Sequence, residues 1–136
     1  SSCLITNANI TVPMDQIKTC MLNGPGTSPD ETNTQNFDMP LRCNSGTTVR
    51  FKVDGNAYNS DDGVINLSDE TQSAKGVGIQ ILRGDRPLPL STVINTGTAF
   101  ATGTYNIPLK ARYYQTASTI TSGTANASAT FTLTYE

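Results

Sequence analysis

GTANASATFTLTYE, residues 123–136, sets small or apolar residues (Ala125, Ala127, Ala129, Phe131, Leu133 and Tyr135) in alternation with Thr, Ser and Asn. A period of two is that of a β-strand with one face on a core and the other in water. Such a strand needs neighbours on both edges, because an unpaired edge invites association. The alternation runs to the last residue, so the expectation is that one edge is supplied by something outside this sequence.

The remainder of the chain carries the same signature. Thr, Ser, Asn and Gly are abundant, and no segment keeps an apolar period of 3.6, so the class is all-β with minor helix. A first strand shows two phases, with Cys3 and Ile5 in one and Ile10 and Val12 in the other. The slip falls across Asn7, Ala8 and Asn9, and a strand that changes phase can change sheets. A polar stretch, NGPGTSPDETNTQN (23–36), reads as a mobile loop. Further strands are expected at 39–43, 47–55, 64–69, 76–84 and 104–116, and with the first and last strands they make seven candidates. Their separation by Asn-Ser-Gly, Asp-Asp-Gly and Gly-Asp-Arg-Pro turns is that of an immunoglobulin-like sandwich. The 136 residues suffice for one sandwich core and are short for two, so residues 1–136 are read as a single domain.

Composition excludes several classes of function. Eleven acidic and nine basic residues give a net charge of −2, without runs, so neither a nucleic-acid footprint nor a polybasic membrane patch is present. No apolar stretch approaches the roughly 20 residues of a membrane-spanning helix, and no signal-peptide pattern opens the chain; a mature protein or an excised domain is expected. There is no His and no Trp, and the acids lie scattered in turn sequences, so no general-base pair or triad can be assembled. The expectation is a protein that is not an enzyme and carries no cofactor and no metal. Asp61 and Asp62 before Gly63 lack the alternating ligand spacing of a calcium loop and serve turn geometry instead.

Three cysteines, Cys3, Cys20 and Cys43, allow three single pairings with one thiol left over. With no histidine and no C-x-x-C, a structural disulfide in an oxidising compartment is the better reading than zinc; reduced, buried thiols are the other. Arg83-Gly84-Asp85 looks like an integrin-binding loop, but Gly and Asp are ordinary residues for a turn at that place. Three glycosylation sequons, at Asn9, Asn66 and Asn126, are expected by chance in so Asn- and Thr-rich a chain.

Several of these features occur together in one family. Cys3 and Cys43, the GVGIQIL stretch (76–82) followed by a turn and PL, YNIPLKARYYQT, ITSG ending at Gly123, and ATFTLTYE with Tyr135 penultimate resemble the pilins of chaperone-usher fimbriae, most closely the type 1 group. The resemblance implies an incomplete immunoglobulin-like sandwich lacking its seventh (G) strand. The groove beside the last strand would be filled first by a periplasmic chaperone and later by a neighbouring pilin, an exchange that is a known instance of β-augmentation. It also implies an usher as a partner, no membrane insertion, and passage from the periplasm to an extracellular fimbria. Carried onto this sequence, Ile10, Val12, Ala129, Phe131, Leu133 and Tyr135 would line the groove, and Gly123, Tyr135 and Glu136 would form the chaperone-recognition motif. Cys3 and Cys43 would be bonded, straddling the polar loop and constraining the unfolded chain by about 4 kcal/mol.

One departure from the family pattern is that only Ser1 and Ser2 precede Cys3, where such pilins carry a donor extension. The expectation is a chain that receives a strand without donating one: the pilin domain of a tip adhesin, or a subunit whose extension was removed. A second departure is Cys20, which has no counterpart in the two-cysteine pattern. The competing readings are a secreted eukaryotic adhesion module using the Arg-Gly-Asp turn, and a small hydrolase.

Overall fold

Among the described residues, eleven strand segments follow one another along the chain: β1 (Cys3–Ile5), β2 (Asn9–Ile10), β3 (Gln35–Cys43), β4 (Thr48–Gly55), β5 (Ala57–Asn59), β6 (Val64–Asn66), β7 (Val77–Arg83), β8 (Arg86–Pro87), β9 (Ile94–Thr98), β10 (Gly103–Gln115) and β11 (Ala129–Tyr135). The structure is a computed structural model, and it describes residues 1–5, 8–11 and 14–135. Among these residues the helical content is two single 3₁₀ turns, Thr19–Met21 and Glu31–Asn33.

The strands form two antiparallel sheets. One has the order β1-β3-β10-β7-β6-β5, with β8 added to β7, and the other the order β2-β11-β4-β9. β1 and β2 lie in different sheets, as the phase slip in the first strand predicts. Inward positions alternate as the period requires: Val49, Phe51 and Val53 on β4, and Ile107, Leu109, Ala111 and Tyr113 on β10, are all buried in one shared core. β7 departs from alternation, being buried from Val77 to Leu82. Buried Gln80 is satisfied there: it donates through Nε2 to the Asp62 carbonyl (2.8 Å) and accepts from Arg112 Nε (2.8 Å).

Cys3 and Cys43 are directly opposite in the β1–β3 register and are joined by a disulfide spanning 40 residues of sequence. Cys20 is free and exposed on the first 3₁₀ turn. Three short strands, β5, β8 and β9, add to the seven expected, and the first strand counts as two. The stretch expected to be a loop through residue 36 already enters β3 at Gln35. That loop is pinned to the end of β10: Gly26 donates to the Gln115 carbonyl (2.9 Å), Gln115 to that of Thr27 (2.9 Å), and Gly24 to Gln115 Oε1 (2.8 Å). The strand expected over 64–69 stops at Asn66.

Candidate functional site

β11 is paired to β4 along its whole length, from Ala129 opposite Gly55 to Tyr135 opposite Val49. On its other edge the pairing is brief. Ala129 is opposite Ile10 and Thr130 opposite Asn9, and the N–H of Phe131 donates to the Ala8 carbonyl (2.8 Å). Beyond Phe131 no strand lies on that edge among the described residues.

The hydrogen-bonding phase follows from that Phe131 contact. Successive residues of a strand direct their backbone groups to opposite edges, so Phe131, Leu133 and Tyr135 turn theirs outward while Thr130, Thr132 and Thr134 serve the β4 ladder. Ser91 donates to the Val53 carbonyl (2.8 Å), which shows Val53, opposite Phe131, turning its backbone away from β11 as this phase requires.

Burial along the inward face of β11 falls in steps after Phe131. Ala129 is 9% exposed and Phe131 5%, Leu133 is half-buried against the core, and Tyr135 is 41% exposed. Phe131 is fixed by stacking on Phe51, with ring centroids 5.7 Å apart. The far end of the strand therefore offers apolar side chains that the core covers only in part, on the same residues whose backbone groups face outward. A strand added there would complete both deficits at once.

The surface opens again at the segment ahead of β11. A cavity of about 490 Å³ lies between Met14–Gln16 and the segment from Gly123 to Asn126, with Tyr113 also lining it. The Tyr113 hydroxyl donates to the backbone carbonyl of Asp15, anchoring the 14–16 segment to β10. Burial first, and the Asp15 carboxylate second, push the Tyr113 pKa above its ordinary 10.0. Gly123 packs backbone against backbone: a Cβ there would sit 2.4 Å from the Gln72 carbonyl oxygen and 2.5 Å from the Ala74 nitrogen.

The structure thus brings Ala129, Phe131, Leu133 and Tyr135 onto one face of one strand, with the backbone of Ile10 beside it. The Ile10 side chain, Val12 and Glu136 lie outside the described residues. Sequence reasoning missed Phe51, Met14 and Tyr113 as neighbours of the site; Phe51 was legible as an inward residue of its strand, but its stacking on Phe131 depends on register. The Arg83-Gly84-Asp85 tripeptide is a hairpin connection: Arg83 pairs with Arg86, and Gly84 takes a φ of 62° at the first loop position, where two-residue hairpins place glycine. No cluster of potential metal ligands occurs among the described residues.

The fold is an all-β sandwich with a disulfide joining β1 to β3 and one edge of β11 only partly paired among the described residues. The family described as "Fimbrial protein" matches residues 1–136, and the chain belongs to it. It is 32% identical to a fimbria adhesin protein of Klebsiella pneumoniae, across 99% of this chain and 45% of that protein. It is also 32% identical to the S-fimbrial protein subunit SfaA of Escherichia coli, across 96% of this chain and 73% of that one. The crystal structure of the P pilus rod subunit PapA superposes with a TM-score of 0.74 over all of both chains, at 17% identity, and shares the fold. The chain spans less than half the length of the Klebsiella relative. The relatives are a fimbrial adhesin and a fimbrial subunit, and this chain is a fimbrial protein of the same family.

Proposed function

We propose that this chain is an assembly module of a chaperone-usher fimbria whose β11 edge accepts a donor β-strand, first from a periplasmic chaperone and then from a neighbouring pilin. The single observation that carries this is the coincidence on β11 of outward backbone groups and stepwise loss of burial at Phe131, Leu133 and Tyr135. Main-chain hydrogen bonds would supply affinity, and alternate apolar side chains entering beside Leu133 and Tyr135 would supply register. Among the described residues β2 pairs with this edge at Ala129 and Thr130, and Ala8 bonds Phe131, so a donor has a short stretch to displace. The acceptor groove is assigned to Ala129, Phe131, Leu133 and Tyr135 with Ile10 and Val12, and chaperone recognition to Gly123, Tyr135 and Glu136. The usher and the passage from periplasm to the outer surface belong to the same reading, as does treatment of residues 1–136 as one pilin domain.

The test is a pair of synthetic donor peptides. One alternates Val or Ile with Thr; the other has the same composition with its apolar residues grouped in one block, so that no register presents an apolar face. The first should raise the melting temperature of the purified chain with the logarithm of its concentration, and the second should not. Equal responses, or none, would refute the acceptor role.

A further inference from the structure

β10 is paired to β3 from Gly103 to Ala111 but to β7 only from Lys110 to Gln115. The β7 side of residues 104–109 lies beyond the turn at Gly84, and no described strand occupies it. Its hydrogen-bonding phase can be fixed from β7. Ile81 donates its N–H to the Gly63 carbonyl and accepts at its own carbonyl from Leu88, so its backbone faces away from β10. Alternation then aims Gln80 and Leu82 at Arg112 and Lys110, and on β10 it sends the backbone groups of Thr104, Asn106 and Pro108 toward the unpaired side. Pro108 is tolerated in this long strand for that reason, since the N–H it lacks would serve no ladder.

A recess of about 470 Å³ lies along this edge, lined by Tyr105 to Pro108, by Thr96 of β9, and by Arg83 and Gly84 of the hairpin. The Tyr105 hydroxyl, 3.2 Å from the Thr96 carbonyl to which it donates, holds that wall in place. Arg83 is the charged member of the lining, and it stands directly opposite Arg86 in the hairpin register. Both arginines are exposed, and neither makes an ion pair or a side-chain hydrogen bond among the described residues. Asp85, between them, is drawn instead to Lys110 at 3.4 Å. Like charges directly opposite in a hairpin are destabilising, so the pair is a cost that an anionic partner would turn into attraction.

We propose that this β10 edge is a second docking site, and that its occupant is a short extended peptide segment bearing carboxylates. Its backbone pairs with Thr104 and Asn106, and its acidic side chains meet Arg83 and Arg86. At about 3.3 Å per residue the edge accommodates four or five residues. Thr104, Asn106 and Pro108 are exposed, so the face beside an added strand is polar, whereas the β11 edge is backed by apolar side chains. The two edges therefore select different strands, and this site does not depend on the acceptor role of β11.

A fluorescent octapeptide alternating Thr and Glu, followed by anisotropy, is the probe. Saturable binding is expected at low salt, weakened about tenfold or more at high salt and in the double variant Arg83→Glu, Arg86→Glu. Asn106→Pro removes the central N–H of the edge while leaving the β3 ladder whole, and should abolish binding. Leu133→Asp should leave it unchanged, and the apolar donor peptide should still stabilise the arginine variants. Absence of saturable binding, equal binding by the Asn106→Pro protein with an unchanged circular dichroism spectrum, or loss of binding in Leu133→Asp would each overturn the proposal.

Discussion

Gly123 is set by packing. The segment containing it runs beside residues 72–75: Thr124 donates to the Gln72 carbonyl (2.8 Å), Ala74 to that of Thr124 (2.9 Å), and Lys75 and Thr121 exchange both bonds at 3.1 Å. Backbones this close leave no room for a methyl group, and the obstructing atoms are themselves backbone, so Gly123→Ala must shift one strand. A loss of about 1–3 kcal/mol is expected, read as a lower denaturant midpoint at unchanged slope. Tyr113 offers a second test at this scale. Its folded pKa is raised by burial first and by the Asp15 carboxylate second, so the folded state favours the neutral phenol. The resulting stabilisation is complete below pH about 10 and is lost as pH rises through the folded value. Stability measured across that alkaline range should fall. Tyr113→Phe, which costs about 1 kcal/mol at neutral pH through the lost bond to Asp15, should make the fall shallower.

Among the strands, those written in apolar residues of period two were legible before any coordinates. β4, β10 and β11 bury the alternate residues that their sequences mark, and the slip at residues 7–9 announced the passage of the first strand from one sheet to the other. β9 was not legible because Ile94–Thr98 has one large apolar residue and a glycine with φ of 105° at Gly97; it exists by pairing with β4 around a bulge. The first residues of β3 hid behind Gln35, Asn36 and Asp38, whose strand state is imposed by residues 108–111 of β10. The terminal alternation was read correctly in phase and too generously in length, since Ala125 and Ala127 are half-buried but lie outside β11. Which edge of β11 stays open depends on register, which no local pattern encodes. The edge itself can be tested through Leu133→Asp. Leu133 is only half-buried, so the chain should retain its fold and its Cys3–Cys43 disulfide, while a carboxylate placed beside the incoming apolar strand should eliminate donor-peptide binding. Unaltered donor affinity in a folded Leu133→Asp protein would place the acceptor site elsewhere.

For the whole molecule, the proposed acceptor role implies a stability that depends on a partner. A donor burying four or five large side chains adds roughly 1.5–3 kcal/mol for each, on the order of 10 kcal/mol as an upper bound. That is comparable to the entire stability of about 5–15 kcal/mol that a domain commonly has. The disulfide offsets part of this deficit by restricting the unfolded chain, which is why Cys3 and Cys43, opposite one another on the outer strand pair, matter most when no donor is present. The isolated chain should therefore fold under oxidising conditions but unfold at low denaturant, and reduction should unfold it altogether unless a donor peptide is bound. With the donor in excess, each tenfold rise in its concentration should add about 1.4 kcal/mol to the unfolding free energy, because only the folded state offers the groove. Chemical denaturation across a donor series measures that slope directly. A chain that is already highly stable alone, resists reduction and gives zero slope would have its sandwich closed by its own strands, and the paired stretch of β2 on β11 would then be the seventh strand rather than a brief contact beside its place.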